Sequence, residues 1–389
     1  MRILVWLSGW VDSAVAAHLL IDQWHEVIAG FMKNYTDESN PNCHTRQDRE
    51  VAREVAEFLW IKHFMTFDFV QEYRERIIQY IYDGYAAWLT PNPDVLCNNL
   101  VKFDLFLQEA IELWCDAVAT GHYARIKKTE LLPPVKGVKS GKADLGGLKL
   151  LKWTDHTKDQ SYFLSGLDQQ QLSKSLFPLW ELEKSKVREI ARDIWLPNAD
   201  RKDSQWLCFI GKVPIKEFLS EALPIKHGDI LDTDGEILWQ HDGAHFLTIW
   251  QRTGLGLGWW PRYVISKNTD TNTVVVSKDE QTDLMHSSLI ATHIHWTSWV
   301  APTLPYTCHA KIRYRQADQE CIVSTISNQA EPTPSPSEAV GRGLGWGGFG
   351  ALKITFKNPQ RAISPGQVVV LYNSDEVVGN GIIKESLTY

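Results

Sequence analysis

The sequence predicts an α/β protein in which a doubly wound parallel-sheet domain is followed by a small β-rich central domain and a C-terminal antiparallel β-barrel. Up to about residue 200, apolar runs typical of strands alternate with helical patterns, as they do in parallel sheets. After about residue 212 the helical patterns largely disappear, and Gly, Asp and Thr turns separate short β-type runs. We therefore expect three domains, with bounds 1–212, 213–284 and 285–389.

The elements of the first domain follow from hydrophobic spacing. Residues 3–7 form a short apolar run that predicts a buried strand, and residues 13–23 have helical spacing. The same criteria predict further strands at 27–32, 61–67 and 117–120, and further helices at 46–59, 70–87 and 101–113.

In the rest of the chain, β-type runs predict the strands, and two segments rich in small or turn-forming residues predict flexible insertions. The insertions are expected at 132–147 and 329–350. The strands are expected at 229–231, 273–277, 310–315, 321–326, 352–356 and 367–372.

Composition predicts a globular protein of the cytoplasm. The 389 residues are 44% hydrophobic, and no apolar run approaches the length that a membrane span or a secretion signal requires. The six cysteines are scattered without a Cys-x-x-Cys pair, so we expect no disulfide framework and no metal site.

Charge leaves two interpretations open. The net charge of −7 argues against a nucleic-acid partner, yet residues 125–158 contain nine Lys or Arg against three acids. Such a basic stripe is typical of a surface that follows a phosphate backbone. It is equally typical of a solvated loop with lysines for solubility.

The turn after the first strand predicts a phosphate site. Ser8 and Ser13 bring hydroxyls, and the helix that follows presents its N-terminal backbone amides. No Gly-Lys-Ser/Thr closes the turn, so it is not a Walker A loop.

Tryptophan is unusually frequent and stands where glycine is expected. The chain has 17 tryptophans, and four of them close a helical pattern in the C′ slot, where positive φ favours glycine: Trp24, Trp60, Trp114 and Trp195. Six others are similarly misplaced: Trp6, Trp10, Trp206, Trp250, Trp259 and Trp260. Trp296 and Trp299 fit a strand and are expected to be ordinary. We hypothesise that tryptophan replaces glycine at many positions of this chain; the alternative is a naturally Trp-rich protein.

Two cysteines lie in suggestive surroundings. Cys97 follows a turn rich in Pro and Asn, just before the helix expected from residue 101, where a helix N-terminus would favour the thiolate. Cys208 lies after the last helix of the first domain and could approach the same sheet edge. For any single cysteine, an inert buried side chain is the ordinary alternative.

Seven motifs together resemble the tRNA-specific 2-thiouridylases, a family of PP-loop (adenine nucleotide alpha hydrolase-like) ATP pyrophosphatases. The phosphate turn resembles that superfamily's Ser-Gly-Gly-x-Asp-Ser signature, with Trp10 in place of the second glycine. The motifs occur in the family's order and span nearly the whole chain: residues 8–13, 92–97, 119–125, 158–162, 203–208, 313–316 and 364–367.

The resemblance implies a tRNA-uridine 2-sulfurtransferase. Such an enzyme uses ATP to adenylate the C2 oxygen of the wobble uridine in a tRNA anticodon stem-loop and replaces it with persulfide sulfur, giving 2-thiouridine, AMP and pyrophosphate. It also implies ATP with Mg²⁺, a cysteine desulfurase or sulfur-relay protein as donor, and a monomer. Cys97 would be the nucleophile, Cys208 the persulfide carrier and Asp94 the general acid/base.

The resemblance implies two further sets of residues. ATP would be held by Trp6, Leu7, Ser8, Gly9, Trp10, Val11, Asp12, Ser13, Met32 and Gly121. The tRNA would be contacted by Asn92, Pro93, Asp94, His122, Lys158, Asp159, Gln160, Arg313, Tyr314 and Gln367.

Two alternatives stay open. One is another PP-loop enzyme, a ligase or amidotransferase that adenylates a small carboxylate or carbonyl and needs neither cysteine. The other is a tRNA-binding protein whose catalysis is impaired because Trp10 blocks the phosphate turn.

Overall fold

The computed structural model describes residues 1–36, 44–129, 147–155, 157–202, 215–257, 262–268, 270–279, 284–326 and 350–387. Most of the two predicted insertions lies outside these residues, as do Cys208, Trp206, Trp259 and Trp260.

The first domain contains the predicted parallel sheet. Its five strands have the order β3-β2-β1-β4-β7, and every neighbouring pair is parallel. The strands are β1 (Arg2–Trp6), β2 (Glu26–Lys33), β3 (Phe64–Asp68), β4 (Ala117–Ala119) and β7 (Ser175–Leu176). All five residues of β1 except Arg2 are buried, because β1 is covered on both faces.

Helices connect these strands and confirm the expected alternation. They are α1 (Val11–Asp22), α2 (Thr45–Phe58), α3 (Val70–Tyr73), α4 (Gln79–Ala86), α5 (Pro93–Cys97), α6 (Phe106–Glu112), α7 (Gln169–Ser173) and α8 (Lys184–Asp193). Two π-helical segments, Arg74–Ile78 and Asn98–Leu105, join α3 to α4 and α5 to α6.

The helix that we expected from residue 101 begins earlier, at Pro93. Asn92 caps it and accepts a hydrogen bond from the Val95 backbone amide, while proline suits the first helical position because it lacks an amide hydrogen. Cys97 is therefore inside the helix, beyond its first turn, and the expectation that it lies at the helix N-terminus is wrong.

A small sheet follows, together with the helix α9 (Ile215–Ser220) and a 3-10 turn at Ala244–Phe246. Its strand order is β10-β11-β8-β9, with β8 (Gly228–Leu231), β9 (Ile237–His241), β10 (Tyr263–Asn268) and β11 (Thr273–Ser277). Its core contains apolar side chains of β8, β10 and β11.

The last part of the chain is a closed antiparallel barrel of six strands. They are β12 (Met285–Trp296), β13 (Tyr306–Lys311), β14 (Gln319–Thr325), β15 (Leu352–Arg361), β16 (Val368–Asn373) and β17 (Glu376–Leu387). The pairing of β12 with β17 closes the barrel and so removes its free edges. The run expected at 310–315 is shifted, since β13 ends at Lys311.

The predicted basic stripe serves in part to join the first domain to the barrel. Its hairpin, β5 (Arg125–Lys128) and β6 (Leu148–Leu151), extends the barrel sheet beside β17. Three of its cations form ion pairs with barrel acids: Arg125 with Asp375, Lys149 with Glu376 and Lys152 with Asp318. These three charges are thus engaged within the protein rather than left on a solvated loop.

The tryptophans confirm the C′ prediction and extend it. Trp24, Trp60, Trp114 and Trp195 have φ between 56° and 62°, in the left-handed region. Three more tryptophans share this conformation: Trp88, Trp250 and Trp299. Trp296 lies in β12 as expected, but β12 ends there, so the expectation that Trp299 is an ordinary strand residue is wrong.

Candidate functional site

The phosphate turn lies between β1 and α1 and is held by its own hydroxyls. The Oγ atoms of Ser8 and Ser13 are 3.1 Å apart, and the Ser8 backbone amide donates to Ser13 Oγ at 3.2 Å. Ser13 Oγ donates in turn to the Trp10 carbonyl at 2.9 Å. Gly9 has φ of +81°, which a side chain would oppose. The turn therefore places small groups and the first amides of α1 together, as a phosphate site requires.

A cation and an amide from the segment after α8 hold the phosphate turn through hydrogen bonds to one of its carbonyls. The Gly9 carbonyl accepts from Asn198 Nδ2 at 3.1 Å and from Arg201 Nη1 at 3.0 Å, and Arg201 also pairs with Asp48. Burial raises the pKa of the Asp48 carboxyl, although Arg201 opposes that rise.

Trp10 is accommodated by stacking and not by backbone strain. Its φ of −96° and ψ of 157° are ordinary extended values, and the Arg201 guanidinium carbon lies 4.0 Å from its ring centroid. Trp6 likewise lies in β1 with no positive φ. If these two residues hinder nucleotide binding, the cause is therefore the bulk of the indole and not the backbone conformation.

Asp12 and Gly121 bring the end of β4 against the turn. Asp12 Oδ1 accepts from Tyr123 Oη at 2.7 Å and from Lys184 Nζ at 2.5 Å. A Cβ on Gly121 would lie 2.7 Å from the backbone of Asp12 and Ser13, so only glycine allows this approach. Because neighbouring parallel strands end at one edge, the turn, Met32 and Gly121 meet there, and these residues fit a nucleotide phosphate.

An apolar wall lies beside the turn. Met32 and Trp6 are buried, and Trp6 faces His122 with ring centroids 6.3 Å apart. Lys102 Nζ lies 4.6 Å from the Trp6 ring centroid. Burial, together with the charge of Lys102, holds the pKa of His122 well below its usual range, so the ring is neutral. Its Nδ1 and Thr120 Oγ1 are 2.7 Å apart.

Cys97 belongs to the same apolar cluster as Trp6 and Met32. Its side chain is almost completely buried, while Asp94, one turn earlier, is partly exposed. The π-helical segment that continues from Cys97 packs against β1, because its Lys102 lies over the Trp6 ring. Cys208, the second predicted cysteine, is outside the described residues, so its distance from Cys97 stays a prediction.

The predicted tRNA-contact loop at 158–162 is held largely by internal hydrogen bonds. Asp159 is buried and accepts from the Trp153 amide and from the amide and hydroxyl of Ser161. Gln160 Oε1 accepts from the Tyr123 amide at 2.9 Å. Lys158 is partly exposed. In this structure Asp159 and Gln160 shape the loop, and Lys158 and Gln160 are both partly exposed.

The predicted contacts from the barrel lie on the face toward the first domain. The ring centroids of Tyr314 and Phe163 are 4.4 Å apart, and Arg313 Nη1 donates to the Arg361 carbonyl at 3.2 Å. Burial and the charge of Arg361 lower the pKa of Arg313. Gln367 Nε2 donates to the Thr90 carbonyl at 2.9 Å, next to Asn92.

Sequence reasoning missed three cations around the turn. They are Lys102, Lys184 and Arg201, which lie beside Trp6, Asp12 and Gly9 respectively. A signal existed for Lys184, because a lysine at the start of a helix opposes the helix dipole and so needs an anionic partner. Within the described ranges, no helix is both long and apolar enough to cross a membrane. Across the same residues, no three His, Cys, Asp or Glu side chains group as metal ligands would.

Three family models match the chain in succession. The first is described as a tRNA methyl transferase HUP domain and matches residues 1–212. The second, a tRNA methyl transferase PRC-barrel domain, matches 216–278, and the third, an aminomethyltransferase beta-barrel domain, matches 286–333 and 345–383.

Curated relatives match over nearly the full length. The tRNA-specific 2-thiouridylase MnmA of Nitrosococcus oceani is 41% identical over 98% of this chain and 96% of its own. The protein of the same name from Burkholderia cenocepacia is 40% identical over 100% of this chain and 94% of its own.

Solved structures resemble the chain more distantly. A 4-thiouridine synthetase in complex with RNA and bound ATP has a TM-score of 0.34 at 15% identity, covering 57% of this chain and 50% of that one. The NMN synthetase of Francisella tularensis has a TM-score of 0.29 at 20% identity, covering 52% and 66%.

Proposed function

The chain belongs to the tRNA-specific 2-thiouridylase family, and from that premise we propose how its residues carry out the reaction. The enzyme replaces the C2 oxygen of a tRNA uridine with sulfur and consumes ATP. The substrate uridine is the wobble base of the anticodon stem-loop, which leaves its stack to reach the site.

The phosphate turn holds ATP, together with Mg²⁺. The backbone amides of residues 8–13, with Gly121 packed closely against them, would hold the phosphates, and the buried Trp6 and Met32 would line the wall beside them. A uracil C2 oxygen is a poor leaving group. Its attack on the α-phosphorus releases pyrophosphate and turns that oxygen into part of an AMP leaving group.

Sulfur transfer then uses the two cysteines. Cys208 carries a persulfide, and the Cys97 thiolate attacks the inner sulfur of Cys208, which releases hydrosulfide and forms a Cys97–Cys208 disulfide. Hydrosulfide adds to C2, and AMP leaves with the former C2 oxygen. In the other order, the persulfide attacks C2 directly and Cys97 afterwards resolves the linkage. Both orders end in a disulfide that a thiol reductant must return to two thiols.

Asp94 exchanges protons with the base and the sulfur, and Asn92 and Pro93 shape the base pocket. Lys158, Arg313 and Tyr314 contribute to the tRNA surface, while the buried His122 and Asp159, together with Gln160 and Gln367, shape the loops beside it. The sulfur arrives from a cysteine desulfurase or a sulfur-relay protein, and the enzyme works as a cytoplasmic monomer.

One observation supports this assignment above the others. Cys97 is buried, and the helical segment that continues from it places Lys102 4.6 Å from the ring centroid of Trp6, in the strand that leads into the phosphate turn, which supports a nucleophile close to the nucleotide. A ligase that adenylates a small carboxylate or carbonyl has no use for a cysteine at that position.

The test is mass spectrometry of nucleosides from unthiolated tRNA incubated with the protein, ATP, Mg²⁺ and a persulfide source. We expect 2-thiouridine from the native chain and none from Cys97→Ser. Cys115→Ser is the matched control, because Cys115 is also a buried free cysteine but lies beyond the end of α6, just before β4.

Each outcome decides between the alternatives. Thiolation that survives Cys97→Ser would overturn the role of Cys97. Absence of product with the native chain, recovered in Trp10→Gly, would identify a tRNA-binding protein whose catalysis Trp10 impairs. Pyrophosphate release that depends on a small carboxylate would favour the ligase alternative.

A further inference from the structure

The barrel reaches into the catalytic turn through one loop. The loop at 364–367 lies between β15 and β16 and contacts the turn at 89–92, which leads directly into the helix of Cys97. The Thr90 amide donates to the Pro365 carbonyl at 2.8 Å, and Gln367 Nε2 donates to the Thr90 carbonyl at 2.9 Å. Both backbone groups of Thr90 are therefore bound by the barrel.

The contact continues to the helix cap. Gln367 Oε1 accepts from Asn92 Nδ2 at 3.4 Å, and Asn92 caps the helix that carries Cys97. A Cβ on Gly366 would lie 2.7 Å from the Thr90 amide nitrogen, so glycine at φ +90° permits this close packing. Tyr162 Oη donates to the Val368 carbonyl at 2.7 Å and anchors the same loop from the first domain.

We propose that Gln367 is a positioning residue, which holds the Thr90–Asn92 turn so that Cys97 and Asp94 keep their place. Its amide is engaged at both ends within the protein, at the Thr90 carbonyl and at Asn92. The barrel thereby orders the catalytic helix as well as supplying surface for RNA. This inference rests on the proposed role of Cys97.

The experiment compares Gln367→Ala and Gln367→Glu with the native chain. Glutamate keeps the volume but cannot donate to the Thr90 carbonyl, so it also serves if the alanine variant does not fold. Gln319→Ala is the matched control, since Gln319 Nε2 donates to a barrel carbonyl, that of Ala317. For each protein we measure kcat for thiolation, the tRNA Kd and the rate at which iodoacetamide alkylates Cys97, read peptide by peptide.

We expect kcat to fall roughly fivefold to tenfold in both variants, the equivalent of one net hydrogen bond, with tRNA Kd unchanged and faster alkylation of Cys97. A weaker tRNA Kd with unchanged kcat and alkylation would overturn the proposal in favour of a direct RNA contact. Unchanged values throughout would overturn it too. The alkylation arm needs no turnover, so it decides the positioning role even if the native chain makes no 2-thiouridine.

A separate observation concerns the five helices that end in tryptophan. Each has the two hydrogen bonds of a Schellman motif, with tryptophan in the left-handed C′ position that usually holds glycine. In α1, for example, the Trp24 amide donates to the Ile21 carbonyl and the His25 amide to the Leu20 carbonyl. The five C′ residues are Trp24, Trp60, Trp88, Trp114 and Trp195.

The pattern exceeds what separate substitutions would produce. Seven of the thirteen tryptophans that the structure describes have positive φ, a conformation that only a few per cent of non-glycine residues adopt. The four C′ side chains other than Trp88 are 83% to 94% exposed and so gain little from packing. Trp296, by contrast, is buried in β12 with ordinary strand geometry.

We infer that the positive-φ tryptophans and Trp10 share a codon that the source organism reads as glycine. The same amino acid stands in place of glycine at turns that are unrelated in sequence and in the fold. A single cause at translation explains all of these positions together. UGA is the fitting codon, because it is one base from the glycine codon GGA and is read as tryptophan in some genetic codes.

Two readouts test this inference. The gene should contain UGA at Trp10 and at the seven positive-φ positions, and UGG at Trp296. Peptide mass spectrometry of the protein from its source organism should show glycine at the UGA positions. UGG at all of these positions, or tryptophan in the native peptides, would overturn the inference.

Discussion

Replacing the exposed C′ tryptophans by glycine should stabilise the tryptophan-containing chain. The perturbation is the combined change of Trp24, Trp60, Trp114 and Trp195 to glycine, at the ends of four different helices. Each side chain is at least 83% exposed, so its removal sacrifices almost no apolar burial. The hydrogen bonds of the four Schellman motifs are made by the backbone and remain.

The magnitude follows from two opposing effects. The left-handed conformation costs a residue with a Cβ roughly 1–2 kcal/mol, which glycine avoids. Glycine loses more chain entropy on folding, an opposing cost of roughly 0.5–1 kcal/mol. The net gain is about 0.5–1 kcal/mol at each site and about 2–4 kcal/mol for four independent sites. For a domain of this size, that gain raises Tm by roughly 5–15 °C.

The assay is thermal and urea unfolding of the first-domain transition in the full chain. Changing the same four residues to alanine is the sharp control, because alanine removes the indole but keeps the Cβ. We expect glycine to stabilise the protein and alanine to have little effect. Trp296→Gly should instead destabilise the barrel transition of the same chain by about 3–5 kcal/mol, because it empties a buried site in the barrel core.

Equal stabilisation by alanine and glycine would refute the reasoning, since the gain would then come from removing an exposed apolar surface. Destabilisation by glycine would refute it as well, because the indoles would then contribute packing that their exposure does not indicate.

Three further predictions concern the nucleotide turn, the domain junction and a buried lysine. Trp10→Gly should tighten ATP binding by about tenfold or more in calorimetry, because it removes the indole from the phosphate turn; unchanged affinity would contradict this. Lys152→Met should lower the free energy of unfolding by about 2–3 kcal/mol in urea titrations, because the buried ammonium pairs with Asp318; no loss would show that the pair is dispensable. Burial lowers the pKa of Lys267 from 10.5 to about 8, so between those values the unfolded chain binds a proton that the folded chain does not. Stability should therefore rise from pH 8 to pH 10 by at most about 3 kcal/mol relative to Lys267→Met, and a flat difference would contradict the shift.

Local features of the sequence determined the first domain and its nucleotide turn. A buried strand, small hydroxyl residues and a helix start follow one another within a dozen positions, so their geometry depends on neighbours in the chain. The C′ positions were equally readable, because the end of a helix demands positive φ whatever packs against it. The early start of the Cys97 helix also had a local signal, because Asn92 and Pro93 suit a helix N-terminus as well as the turn that we predict there.

Only the tertiary structure decided which distant segments meet. The basic hairpin joins the barrel because Arg125 and Lys149 find acids that follow them by more than 200 residues. Gln367 donates a hydrogen bond to the Thr90 carbonyl, which precedes it by 277 positions, and hydrophobic periodicity cannot predict such a long-range contact. Periodicity reports which face of an element is buried, whereas the partner on that face depends on how the domains dock. The chain's own motifs therefore identified its family, and the docking of the barrel determined how the turn before Cys97 is held.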